Sequence, residues 1–318
     1  MSIIEVENLT KKYEQFTAVE SINFKVKEGE IFGLLGPNGA GKTTTINMLI
    51  GLAKITKGDI KIVGIECAKN LSKIQEKIGI IPDESNLYPE MTGVENLSFC
   101  GALYGMNKKE REEKALQLLE QVGLSHVAEK PFKAYSKGMK RRLTIAAGII
   151  HGPEILFLDE PTSGIDVESA RQIRKLLTLL NRNGTTIFLT THYIEEAERL
   201  CDRIAFIVEG KIVKIDSTVN LMEKAQQEKV VQFYVENSKI DLQSVLEKKF
   251  PNYRYKLIDS KTIRVYSKEK IDLLPFIELF KKHSAVVYEA KLVKPSLEEV
   301  FVQITGIETN KMKKEGGR

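Results

Sequence analysis

The run Gly36-Pro37-Asn38-Gly39-Ala40-Gly41-Lys42-Thr43-Thr44 has the residue types and spacing to hold a polyphosphate. It fits the phosphate-loop pattern G-x-x-x-x-G-K-[ST]. Just before it, Glu30 to Leu35 reads as a short apolar strand. Just after it, Thr44 to Ile50 has the apolar spacing of a helix. A strand that turns through glycines into a helix points backbone N–H groups at one spot, at the positive end of the helix dipole. Gly36, Gly39 and Gly41 let the backbone close around phosphate without Cβ clashes. Lys42 adds a mobile positive charge for the β- and γ-phosphates, and the Thr43 hydroxyl can ligate Mg²⁺.

A second set of chemical groups stands at Ile155-Leu156-Phe157-Leu158-Asp159-Glu160, four apolar residues ending in two acids. A buried strand delivers such carboxylates from its C-terminal end, beside the phosphate loop. Asp159 can hold Mg²⁺, mostly through water, and Glu160 can polarise an attacking water. Alone the pattern also fits a strand running into a turn; beside a phosphate loop it reads as the acidic half of a nucleotide-hydrolysing site.

The elements that must position these residues follow from periodicity. Ile3–Glu7 and Ile22–Val26 read as strands around a turn, and residues 59–65 as another strand. Ser72–Lys77 reads as a short helix and Ile78–Ile81 as a buried strand. From Thr92 to about Gly123 the pattern is helical, with Leu97, Leu103, Leu116, Leu118, Leu119 and Val122 as core candidates. A strand ending at Asp159, a helix from Val167 to Asn181 and a strand from Thr185 to Thr190 follow. Strands alternating with helices imply a mainly parallel sheet covered on both faces. Beyond a polar connector the order becomes βαββαβ, the split-βαβ plan of a ferredoxin-like module. Strands are expected near 230–235, 254–258, 262–266 and 286–290, with helices near 242–250, 273–282 and 296–304.

With 318 residues, the chain is long enough for one large domain and a smaller one. Its 42% hydrophobic and 29% charged content is ordinary for a globular protein. No apolar run approaches the roughly 18–20 residues that span a bilayer. The opening Met1–Val6 lacks a basic region followed by an apolar core, so no signal peptide is expected. Cys67, Cys100 and Cys201 are odd in number and far apart, which suits a reducing cytosol and neither a metal site nor a disulfide framework. A net charge of +5 with scattered lysines reads as solvated faces, and no nucleic-acid partner is expected.

These motifs together resemble an ATP-binding-cassette (ABC) ATPase over residues 1 to about 220. The resemblance extends to four further features. Tyr13 sits where the family stacks an aromatic ring on adenine, with Phe16 as the rival candidate. Tyr135-Ser136-Lys137-Gly138-Met139 occupies the signature position, usually Leu-Ser-Gly-Gly-Gln, and opens a helix from Met139 to Ile150. Ser163-Gly164-Ile165-Asp166 resembles the loop that touches the partner subunit. His192 resembles the switch histidine that reaches the γ-phosphate. The fold so implied is an α/β phosphate-loop NTPase cassette with a mainly parallel sheet, an antiparallel β subdomain and a helical subdomain. A small α+β C-terminal domain is expected behind it. The boundaries expected are a nucleotide-binding domain over 1–220, a linker over 221–229, a ferredoxin-like accessory domain over 230–306 and a flexible tail over 307–318.

The resemblance implies that ATP and Mg²⁺ are bound and that ATP is hydrolysed to ADP and phosphate. It also implies a second cassette subunit, as a homodimer, whose Ser136, Lys137 and Gly138 meet the nucleotide held by the first. ATP closes such a dimer, and hydrolysis opens it by removing charge that both sides hold. A separate membrane-spanning permease, contacting the 84–104 region, would turn that motion into transport. The chain itself would then be peripheral, on the cytoplasmic face of a prokaryotic membrane.

Two departures from the family pattern stand out. Asp83, after Pro82, takes the place of a Gln. A carboxylate only accepts hydrogen bonds and adds negative charge near the γ-phosphate, so Asp83 is expected as a Mg²⁺-side ligand or relay rather than a water donor. Lys137 replaces a signature Gly, and is either a cation aimed at the partner's nucleotide or a solvated lysine. The Tyr-Ser-Lys-Gly-Met wording, and the closing Pro295-Ser296-Leu297-Glu298-Glu299-Val300-Phe301, resemble cassettes that serve exporters of drugs, sodium or polysaccharide. Leu87, Tyr88 and Met91 are expected to line a groove for a helix of the permease, local packing being the alternative. The rival class is a soluble cassette ATPase of translation or DNA repair. A single phosphate loop and the absence of long heptads between it and the signature speak against that.

Overall fold

The computed structural model describes residues 1–226, 229–236, 241–293 and 296–307. The expected tail lies outside these from residue 308 onward, as do residues 227–228 of the expected linker and Pro295 of the closing motif. The backbone forms two compact units, one built mainly from Met1–Thr218 and the other from Val219–Gln303.

In the first unit a long hairpin, β1 (Ser2–Tyr13) and β2 (Phe16–Lys27), alternates buried and exposed residues. A strand with one apolar face must cover that face. Edge to edge the hairpin pairs with β4 (Lys57–Ile62) and β5 (Ile65–Glu66), in the order β2-β1-β4-β5, all antiparallel, and its apolar face is buried in the core that also holds Phe32, Phe157 and Phe188. The single strand expected over 59–65 is thus two strands, because Val63 and Gly64 both take positive φ and turn the chain. The central strands are buried along nearly their whole length. β3 (Ile31–Leu35), β6 (Ile78–Ile81), β7 (Ile155–Asp159), β8 (Thr186–Thr191) and β9 (Arg203–Val208) run parallel. With the antiparallel edge strand β10 (Lys211–Ser217), they form a sheet in the order β10-β9-β3-β8-β7-β6.

The two sheets share one core with α1 (Lys42–Leu49) and α2 (Leu71–Gln75). Phe24, Phe32 and Phe188 stack there with centroids 5.6–5.8 Å apart, and Phe157 adds to the same stack. Each fully buried phenylalanine contributes about 1.5–3 kcal/mol.

A helical layer comprises α3 (Gly93–Leu103), α4 (Lys108–Gln121) and α5 (Lys137–Ile149). Thr92 and Glu95 close a reciprocal capping box at the start of α3. Asn107 caps α4. The helical pattern read from Thr92 to Gly123 is therefore interrupted between Tyr104 and Asn107. Two of the expected core residues are corrected: Leu103 is 70% exposed and Leu116 is 55% exposed. The buried face of α4 is Ala115, Leu118 and Leu119, and Leu116 lies about 100° from Ala115 around the helix. Helices α6 (Val167–Arg182) and α7 (Ile194–Leu200) complete the unit.

In the second unit, α8 (Thr218–Gln226) leads to β11 (Lys229–Glu236), α9 (Leu242–Lys249), β12 (Arg254–Leu257) and β13 (Thr262–Ser267). Then come α10 (Leu274–Lys282), β14 (Val286–Val293) and α11 (Leu297–Thr305). The strands form an antiparallel sheet in the order β12-β13-β11-β14, which places β13 between β11 and β12. That insertion is the split-βαβ arrangement. Phe233, Phe276 and Phe280 anchor a separate apolar core.

Candidate nucleotide site

Strands β3, β8, β7 and β6 are neighbours and run the same way, so their C-terminal ends open on one edge. That edge carries the Gly36–Thr44 run after β3, His192 after β8, Asp159 and Glu160 at the end of β7, and Asp83 after β6. Parallel pairing alone gathers residues scattered over more than 150 positions, as the rule for ligand sites in open α/β sheets requires.

The loop is glycine-dependent for reasons inside the chain. Gly36 passes so close to the Ile207 carbonyl that any Cβ would strike it. Gly41 adopts φ 99° at the start of α1, with the Ala18 carbonyl 2.6 Å from where a Cβ would stand. Both constraints come from neighbouring strands, not from a ligand. Lys42 is buried and folds back along the loop. Its Nζ donates to the carbonyls of Gly36 at 2.9 Å and Pro37 at 3.1 Å, and lies 3.3 Å from Glu160 Oε1. Thr43 Oγ1 donates to Asp159 Oδ2 at 2.8 Å, and the Thr190 hydroxyl donates to Asp159 Oδ1.

Glu160 is the junction. It adopts φ 46°, unusual for a residue with a side chain. His192 Nδ1 lies 2.8 Å from Glu160 Oε2, and the His192 backbone N–H donates to the same oxygen at 3.3 Å. Burial pushes the Glu160 carboxyl up, but the hydrogen bond from His192 and the charge of Lys42 outweigh it, leaving it below the ordinary carboxylate value. An ionised carboxylate only accepts, so Nδ1 of His192 carries the proton. Asp83 moves the other way. Burial raises its pKa, Arg141 works against that rise, and the charges of Asp159 and Glu160 add to it.

The remaining candidates lie elsewhere. Tyr13 is half exposed at the tip of the β1–β2 hairpin, opposite an exposed Phe16, with Lys11 Nζ 4.5 Å from its ring centre. It shares that hairpin with Ala18, whose carbonyl abuts Gly41. Ser136, Lys137 and Gly138 stand at the start of α5, against α6 and the loop before it. The Ser136 hydroxyl caps α5 by accepting from the Met139 N–H at 3.3 Å. A Cβ at Gly138 would sit 2.5 Å from Ser169 Cβ, so close helix packing within the chain already demands glycine there. The Lys137 ammonium lies over Gly164, which takes a φ of 63° that favours glycine.

One residue with a large role was not singled out by its motif. Arg141, on α5, is 7% exposed. Its guanidinium donates to the carbonyls of Asp159 at 2.6 Å, Pro161 at 3.0 Å and Asp83 at 3.1 Å, and also to that of Pro82. It therefore ties the signature helix to both acidic loops. The signal available in the sequence was position, since Arg141 falls three residues after Gly138 on the buried stripe of α5.

Beside Asp83 lies a cavity of about 490 Å³, lined among others by Leu87, Lys137, Arg141 and Ser163. Leu87 turns inward and is buried, whereas Tyr88 is half exposed and packs edge-on against Phe99 of α3 at 5.1 Å.

Comparison with known proteins accords with this geometry. The family model described as ABC transporter matches residues 19–163. The linearmycin resistance ATP-binding protein LnrL of Bacillus subtilis (strain 168) is 43% identical over 233 residues, covering 73% of this chain and 75% of LnrL. The bacitracin transport ATP-binding protein BcrA of Bacillus licheniformis is 36% identical over 310 residues, covering 96% of this chain and 98% of BcrA. Among solved structures, the dimeric post-hydrolysis state of the ATP-binding cassette MJ0796 bound to ADP and Pi matches with a TM-score of 0.63 and 30% identity. That match covers 68% of this chain and 98% of the other. Phosphate loop, acidic strand end and histidine thus meet on one sheet edge, in a chain similar over most of its length to proteins named as ATP-binding proteins of resistance or transport: the protein belongs to the ABC transporter ATP-binding protein family.

Proposed function

We propose that this chain is the ATP-hydrolysing subunit of an exporter and drives a separate membrane-spanning chain. The observation that supports the reading best is the convergence of Lys42 and His192 on Glu160, at ion-pair and hydrogen-bond distance. Relatives named for linearmycin resistance and bacitracin transport point to export, and disfavour a role in translation or DNA repair. Among the described residues no helix is long and apolar enough to cross a membrane. In this reading the permease is another chain, and this one is peripheral on the cytoplasmic face.

In this reading Gly36–Thr44 cradles the phosphates of ATP, and Tyr13 stacks on the adenine. Glu160, ionised, accepts the proton of the attacking water. His192, held by Glu160 through Nδ1, keeps Nε2 for the γ-phosphate. The residues fit Mg²⁺: Thr43 Oγ1 and Asp159 Oδ2 converge at 2.8 Å as an all-oxygen pair. Among the described residues no group of three or more His, Cys, Asp and Glu could hold a metal by itself, and Mg²⁺ needs only one or two protein oxygens beside phosphate. Bound there, Mg²⁺ supplies charge neutralisation at the phosphates. Ser136, Lys137 and Gly138 serve the nucleotide of a second copy.

Asp83 gives a direct test of charge at the site. Removing its charge in Asp83→Asn relieves repulsion toward Asp159, Glu160 and the phosphates, so ATP turnover should rise. A phosphate-release assay across Mg²⁺ concentrations reads this, and an unchanged rate with unchanged Mg²⁺ dependence would count against it.

Tyr88 tests the permease contact. Tyr88→Glu places a charge on an exposed apolar surface, so co-purification with the membrane chain and transport should fall while basal ATPase persists. Normal transport in that variant would remove the 84–104 region as the contact.

A further inference from the structure

Glu196 lies on α7, four residues after His192, with 3% of its surface exposed. The Thr162 hydroxyl donates to its Oε1 at 2.5 Å. Its Oε2 is buried without a hydrogen-bond partner. A sealed carboxyl with one oxygen unpaired is costly to keep unless its bond to Thr162 holds something in place. What it holds is the turn that carries Glu160. That turn starts from the unusual φ of 46° at Glu160, and is closed by the Ser163 N–H donating to the Glu160 carbonyl at 3.2 Å. On the strand side, the Glu160 N–H donates to the Thr190 carbonyl at 3.1 Å. On the far side, the bond from Thr162 to Glu196 fastens the turn to the helix that follows His192.

We infer that Glu196 is a positioning residue that locks the turn bearing Glu160 to the His192 helix, so that the Glu160–His192 pair keeps its 2.8 Å geometry. The two connections between turn and helix are parallel: Glu160 to His192 at the sheet edge, and Thr162 to Glu196 beneath it. Opposing groups surround the Glu196 carboxyl. Burial raises its pKa, the hydroxyls of Thr162 and Thr191 oppose the rise, and Glu160 and Arg174 face it with opposite charges. A Gln in its place would preserve the acceptor oxygen that Thr162 needs.

The inference rests on Glu160 and His192 acting on the attacking water, and the experiment separates the two readings. Full-length wild type, Glu196→Ala, Glu196→Gln, Thr162→Val and Glu160→Gln are assayed for kcat and KM of ATP hydrolysis, with thermal melting alongside. A displacement of about 1 Å at reacting groups costs on the order of 100-fold. Glu196→Ala should therefore lose roughly 10- to 100-fold in kcat with the KM for ATP nearly unchanged, since the phosphate loop is untouched. Glu196→Gln should retain most of the turnover. Thr162→Val breaks the same bond from the other side and should reproduce the loss, which decides the matter if Glu196→Ala does not fold. Wild-type kcat in Glu196→Ala or in Thr162→Val, or a KM effect alone, overturns the inference. Lost turnover in Glu160→Gln beside retained turnover in Glu196→Ala removes this inference only. Retained turnover in Glu160→Gln removes both readings.

Discussion

Replacing Glu160 with Gln is expected to lower ATP turnover by on the order of 100-fold or more, while ATP binding survives. The carboxylate is held ionised by the His192 hydrogen bond and the Lys42 charge against the effect of burial. It can therefore accept a proton from water at neutral pH. An amide keeps the size of the side chain but not that basicity. Lys42 keeps its bonds to the Gly36 and Pro37 carbonyls in the variant, so the phosphate loop stays formed. Nucleotide that binds but is not hydrolysed should accumulate the closed two-subunit form. Phosphate release reads the first effect, and gel filtration with ATP and Mg²⁺ reads the second as a shift to twice the monomer mass. Turnover near the wild-type rate would show that another group activates the water.

The second large effect is expected at Arg141, and it is one of stability as well as activity. Arg141→Ala removes a buried guanidinium and strands the carbonyls of Pro82, Asp83, Asp159 and Pro161. Breaking a buried charged network from one side costs about 3–5 kcal/mol. For a unit of this size, each kcal/mol lowers Tm by roughly 2–4 °C, so a fall of roughly 6–20 °C is expected by calorimetry. Arg141→Lys should recover little of it, because one ammonium cannot reach as many carbonyls as a planar fork. Turnover in either variant should fall further than stability requires at temperatures where the protein remains folded, since the loops of Asp83 and Glu160 lose their common anchor. An unshifted Tm in Arg141→Ala would mean that water replaces the guanidinium without penalty.

These two residues differ in how far the sequence announced them. Glu160 follows an apolar strand and an aspartate, a pattern legible by inspection. Arg141 sits beside a second arginine in a basic stretch, where composition suggests a solvated surface. Its partners are up to 59 positions away in the chain. The glycines show the same division. Gly36 and Gly41 were readable as loop glycines, but the clash that forbids a Cβ at Gly36 comes from Ile207 on another strand. Gly138 was readable as a signature residue that meets the partner's nucleotide, and the structure adds Ser169 of the same chain as a second reason for glycine there. The surplus leucines Leu103 and Leu116 show the limit of periodicity, because a broad apolar pattern does not say which face meets a neighbour.

By itself, then, the sequence determined what is local. A phosphate loop is a matter of nine consecutive residues, and strand and helix periods are short enough to read within ten. Cap residues such as Asn107 and Asp166 act within three positions of themselves. The tertiary structure alone decided what is shared between distant segments. It set the order β3-β8-β7-β6, the pairing of Glu160 with His192, the anchoring of Asp159 by Thr190, and the bracket made by Arg141. The reason is physical. Backbone spacing fixes neighbours along the chain through covalent geometry, whereas neighbours across the sheet are fixed by which buried faces pack together. That choice depends on all the strands at once.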